Sequence, residues 1–181
     1  MKAWEVLQKP EEIALEAAAY ERAAEGRHAW VAMAAAAARH AYPIVIERAG
    51  EDAMECGFHE DAPSMDGESE GMKIRRVEGW LAAPSPETHA AVVASIDPSR
   101  QLEIWEDDLR PPDDSEDTWQ WFMCVGQLCA QSVAHEAGGT ITRADSSYAW
   151  PAEVCAVRCV VAAAKAIGDV AAIRKATGLP G

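Results

Sequence analysis

With 181 residues the chain is long enough to bury a sizeable core within one domain, and 16 Lys and Arg against 30 Asp and Glu set its net charge at −14. So acidic a surface is repelled by phosphate backbones and anionic lipid, which excludes direct nucleic-acid or membrane-surface binding and leaves a basic protein as the easiest partner. Apolar residues make up 49% of the chain, but much of that is alanine, so the core must come from close helix–helix approach filled by seven Trp.

No run approaches the roughly 20 apolar residues of a transmembrane helix; residues 29–38 are apolar, and Arg39 and His40 close the run. The first residues, MKAWEVLQKPEEI, lack the apolar core of a secretory signal. Five cysteines, an odd number, fit free thiols in a reducing cytoplasm, which is the expected location.

Periodicity predicts a first helix over about 10–25, with Glu11 and Glu12 near its positive end and Gly26 ending it. A second helix, over about 27–41, stops at Tyr42-Pro43, where proline disfavours continuation. Trp30, Met33, Ala34 and Ala37 share one stripe of that helix, which marks it as central. Ile44-Val45-Ile46 is either a short strand or the start of another helix.

Residues 51–71 are poor in large apolar side chains and rich in acid, Gly, Ser and Pro, the pattern of an exposed loop and a candidate for mobility. Ile74, Val77, Trp80 and Leu81 then recur at helical spacing over 72–83. Ser85 as N-cap, Pro86 at the first helical position and Glu87 in the first turn start the next helix, which ends near Asp97-Pro98.

Residues 101–109 form a candidate brief helix presenting Trp105, broken by Arg110-Pro111-Pro112. Asp114-Ser115, followed by Glu116 and Asp117, opens a helix over 116–137 that Gly138-Gly139 closes. A loop runs through Tyr148. Pro151 then starts a helix to Ile167, and Asp169 caps a last short one to Thr177. The expected fold is therefore all-α: an irregular or solenoid-like bundle of six to eight helices in one domain over 1–181, with an acidic loop inserted at 51–71.

Few residues carry a recognisable chemistry. Cys155 and Cys159 lie at i, i+4 on one helix, with Cys124 and Cys129 on another, a set that four-thiolate zinc binding would need. None belongs to a CxxC knuckle, and in apolar helical text a free cysteine behaves as a small hydrophobe. Cys56-Gly57-Phe58-His59 has no second pair beside it. His135-Glu136 lacks the second histidine of a zincin helix, and no nucleophile elbow or phosphate-binding loop is present. No metal, cofactor or catalytic residue is assigned. Arg75 and Arg76 are expected to pair with Glu78 or with the neighbouring acidic stretch.

The acid itself is the strongest signal. Sixteen of the thirty carboxylates fall within 51–70 and 103–117. The second stretch sets Glu103, Glu106, Asp107, Asp108, Asp113, Asp114, Glu116 and Asp117 beside Trp105, Trp119 and Trp121. Acid at a helix start stabilises the dipole, which accounts for residues 114–117. It accounts less well for Glu106, Asp107 and Asp108, since Arg110 is the one opposite charge close in sequence. A cationic partner would relieve such crowding.

Four phrases, HAWVAMAAAAARHA, GWLAAPSPETHAAVVAS, TWQWFMCVGQLCAQS and YAWPAEVCAVRCVVAAA, resemble an uncharacterised bacterial family of alanine- and tryptophan-rich helical proteins, some encoded beside contact-dependent secretion and toxin genes. The resemblance spans most of the chain from Arg27 onward, departs from it at 51–70, and carries no functional residue. It implies a toxin–immunity or secretion-associated role.

The leading expectation is an acidic protein-binding inhibitor, an immunity protein that neutralises a basic toxin, for example a nuclease, by occlusion. Trp105, Glu106, Asp107, Asp108, Asp113, Asp114, Glu116 and Asp117 would dock the partner, assisted by 51–70. One alternative is a phage-type inhibitor of a nucleic-acid-binding protein, mimicking nucleic acid as anti-CRISPR proteins do. Another is a small enzyme using His135, Glu136 or a thiol.

Overall fold

The computed structural model describes residues 9–63, 67–97, 118–135, 141–142 and 148–181. Among these the chain is all-α, as expected. The helices are α1 (Pro10–Ala23), α2 (Arg27–Ala49), α3 (Asp52–Glu55), α4 (Glu70–Ala82), α5 (Pro86–Ser95), a 3-10 helix (Thr118–Cys124), α6 (Val125–Ala134), α7 (Ala152–Ile167) and α8 (Val170–Thr177). A two-residue antiparallel ladder, β1 (Ile141–Thr142) with β2 (Tyr148–Ala149), lies between α6 and α7, where a loop was expected.

Local chemistry explains most helix starts. Pro10 opens α1, and the Glu12 carboxylate accepts from the Lys9 amide at 3.0 Å. At α5 the Ser85 hydroxyl accepts from Thr88 N (3.1 Å) while the Thr88 hydroxyl accepts from Ser85 N (3.0 Å), a reciprocal cap. Asp169 accepts from Ala172 N at 2.8 Å to start α8. Gly168, between α7 and α8, has φ +69°, which a side-chain-bearing residue adopts only at a cost.

Helix α7 is enclosed by five neighbouring helical elements. Of its sixteen residues only Glu153, Val154 and Arg158 are more than marginally accessible, and α2, α6, the 3-10 helix, α1 and α8 all pack on it. Its sequence explains this. Ala156, Ala162, Ala163, Ala164 and Ala166 allow close approach on several sides, and Val157, Val160, Val161 and Ile167 fill the remaining gaps. The stripe of α2 read from the sequence does face inward, with Trp30, Met33, Ala34 and Ala37 all buried. Because the first helix packs on the seventh, the bundle is irregular and not a solenoid, whose units touch only their neighbours.

Three elements depart from the sequence reading. Helix α2 does not stop at Tyr42: Pro43 lies inside it, and the helix continues to Ala49. Proline there removes one i→i−4 bond, but Val45 and Ala49 become buried by the continuation, and tertiary packing outweighs the local penalty. The resulting 23-residue helix is long and apolar enough, by length and composition, to cross a membrane, although half of its most apolar window is buried within the protein.

The 116–137 helix is also different. The chain is 3-10 from Thr118 to Cys124 and α-helical only from Val125 to Ala134. The tighter spiral stacks residues three apart. Trp119 and Phe122 therefore both meet the buried Phe58 ring edge-on, at centroid distances of 5.8 and 5.5 Å, each inclined 77°.

The third departure is the stretch 51–71, which is not simply an exposed loop. Its described residues include α3, the fully buried Phe58, and buried Ala53, Ala62, Ser69 and Glu70. Phe58 is the reason: an aromatic ring at the heart of a polar stretch anchors it to the core.

Helices α4 and α6 cross closely at Gly126. A Cβ on Gly126 would run into the Glu70 carbonyl oxygen and come within 2.7 Å of its Cα. Gly126→Ala is therefore expected to destabilise the fold by about 1–3 kcal/mol. Gly79→Ala, at an exposed position of α4 where a Cβ meets nothing within 4 Å, should stabilise it by about 0.5–1 kcal/mol. Urea midpoints measure both, and equal shifts would show that the α4–α6 crossing yields freely.

Candidate functional site

The docking residues read from the sequence, Trp105, Glu106, Asp107, Asp108, Asp113, Asp114, Glu116 and Asp117, lie outside the described residues, as do Glu103 and Glu136. Two tryptophans grouped with them are described, and both serve the core. Trp119 packs on Phe58. Trp121 is buried, with the Lys165 ammonium 5.0 Å from its ring centroid. That ammonium also donates to Glu12 Oε2 at 2.7 Å, so one buried cation joins α1, α7 and the 3-10 helix. Removing either member of so enclosed a pair typically costs about 3–5 kcal/mol.

The described carboxylates of the acidic stretch 51–70 divide into two sets. Glu60, Glu68 and Glu70 are held by the chain's own cations. Arg39 donates to Glu78 through Nε (2.7 Å) and Nη2 (2.6 Å), reaches Glu60 at 3.3 Å, and lies 5.2 Å from the Tyr42 ring centroid. The bidentate bond to Glu78 holds the Arg39 guanidinium above its ordinary pKa. Arg75 reaches Glu60 at 3.3 Å, and Arg76 grips Glu68 at 3.0 and 2.7 Å. Arg75 and Arg76 thus do pair with the acidic stretch, as expected. Glu51, Asp52, Glu55 and Asp61 face solvent.

Glu70 does more than balance a charge. Its Oε1 accepts from Lys73 Nζ at 2.9 Å, and its Oε2 accepts from Gln127 N at 2.8 Å, one of the amides that the start of α6 leaves without an intrahelical partner. A carboxylate from α4 therefore caps α6, with the favourable dipole sign. The Gln127 side chain in turn binds both Asp97 N (3.4 Å) and Asp97 O (3.3 Å), fixing the end of α5 to α6.

The far end of α6 is capped by α2. Arg27 donates to Val133 O (3.1 Å) and His135 O (3.2 Å), and the Trp30 indole donates to Ser132 O (3.0 Å). Arg48, near the other end of α2, donates to Ile167 O at 2.6 Å, the last residue of α7. Terminal carbonyls buried by the bundle are thus met by guanidinium groups where the helix dipole is negative. The i, i+3 spacing of Arg27 and Trp30 places both on one side of α2, a usable signal, but nothing in the sequence names the carbonyls they serve.

His135 and Cys155, the most enzyme-like pair, come together. His135 Nδ1 is 3.7 Å from the Cys155 sulfur, but it is also 2.8 Å from Trp150 O. A carbonyl only accepts, so Nδ1 carries the proton and cannot take one from the thiol. Nε2 lies 3.3 Å from the Gln131 amide nitrogen and accepts from it. Cys155 is fully buried, and burial pushes its thiol well above the ordinary range, with Glu153 adding to the shift. An activated nucleophile needs the opposite surroundings.

The remaining thiols are no closer to that requirement. Cys159 is likewise raised by burial, and its sulfur donates to Val125 O (3.4 Å) and Ala34 O (3.6 Å). Cys124 donates to Trp121 O at 3.1 Å. Among the described residues no three His, Cys, Asp or Glu side chains gather as a metal would require. These cysteines pack as small apolar residues.

Two outcomes test this assignment. Arg27→Met should destabilise the fold by about 1.5–3 kcal/mol, the typical value of hydrogen bonds from a charged donor, and an unchanged denaturation midpoint would refute its capping role. A thiol reagent should modify one cysteine rapidly in the native protein, the exposed Cys56, and Cys56→Ser should abolish that phase. Burial, Asp52 and Glu55 all raise the Cys56 thiol, so the rate should keep climbing as pH passes the ordinary thiol range. A second rapid phase would mean that a thiol assigned to the core is accessible. No protein-family model, curated protein or solved structure matches this chain.

Proposed function

We propose that the chain is an acidic protein-binding inhibitor of the immunity type, which occludes the active site of a basic, nuclease-type toxin. Trp105 supplies an aromatic anchor, and Glu106, Asp107, Asp108, Asp113, Asp114, Glu116 and Asp117 supply the charge. The observation that carries this reading is where the chain's cations are engaged. Arg22, Arg39, Lys73, Arg75, Arg76 and Lys165 are bound to carboxylates of the described residues. Arg27, Arg48 and Arg174 are bound to backbone carbonyls.

A chain at −14 thus commits much of its positive charge to its own architecture. A basic partner would supply a complement to the acidic run at 103–117. A nuclease must hold phosphate and so surrounds its active site with positive charge. An opposing row of carboxylates steers encounter and matches that site. The resemblance to proteins encoded beside toxin genes favours the same role. Among the described residues, the assistance expected from 51–70 narrows to Glu51, Asp52, Glu55 and Asp61, because Glu60, Glu68 and Glu70 are engaged internally.

The test is affinity capture with the native chain beside a variant carrying Asp107→Lys, Asp108→Lys, Asp113→Lys and Asp114→Lys. A basic protein retained by the native chain and lost from the folded variant is the expected result. Equal retention by both would overturn the docking surface.

A further inference from the structure

We draw no further inference here: the strongest candidate, the solvent-facing apolar stripe of α1 that includes Ile13, Ala17 and Tyr20, is an exposed helix face, and nothing among the described residues shows what covers it.

Discussion

The enclosure of α7 is the constraint on which the other packing depends. A helix surrounded by five others can approach them closely only if its side chains are small, and the alanines of its second half meet that need. Enclosure has a second consequence. Helices packed this closely bury their own ends, and each end leaves backbone groups without intrahelical partners. Water cannot satisfy them in the interior, so distant side chains do. Arg48 serves the end of α7, Arg27 and Trp30 the end of α6, and Glu70 its beginning. Charged groups in this protein are therefore part of the core architecture.

That use of charge shapes the surface. Each cation drawn to a carbonyl or a buried carboxylate no longer offsets acid outside. Glu70 and Lys73 neutralise one another in the interior, as do Glu12 and Lys165. Arg39, Arg75 and Arg76 tie the stretch around Glu60 and Glu68 to α2 and α4. These pairs are partly exposed, and each contributes modestly to stability. Their main effect is positional: they hold an acidic segment against the bundle, with Phe58 beneath it.

The sequence disclosed local rules well and distant ones poorly. Ser85-Pro86-Glu87 and Asp169 start helices as their chemistry dictates, and the Trp30–Ala37 stripe faces the core. Pro43 misled because its penalty is local, whereas the burial of Val45 and Ala49 that outweighs it is tertiary. The 51–71 stretch misled because composition averages over residues, and one buried phenylalanine decided the matter. Trp119 and Trp121, neighbours in sequence of the proposed docking residues, pack into the core, the role expected of tryptophan between alanine faces. His135 and Cys155 sit 20 positions apart, and only the Trp150 carbonyl between them settles which nitrogen holds the proton.

The proposed function requires that like charge be kept together at a cost to the free protein and relieved on docking. Thermal unfolding of the free chain tests that directly. Replacing Asp107 and Asp108 by lysine should raise the melting temperature at low salt, and the gain should shrink as salt screens the repulsion. A lower melting temperature would mean that the chain's own cations already neutralise these carboxylates, and that no partner is needed to do so.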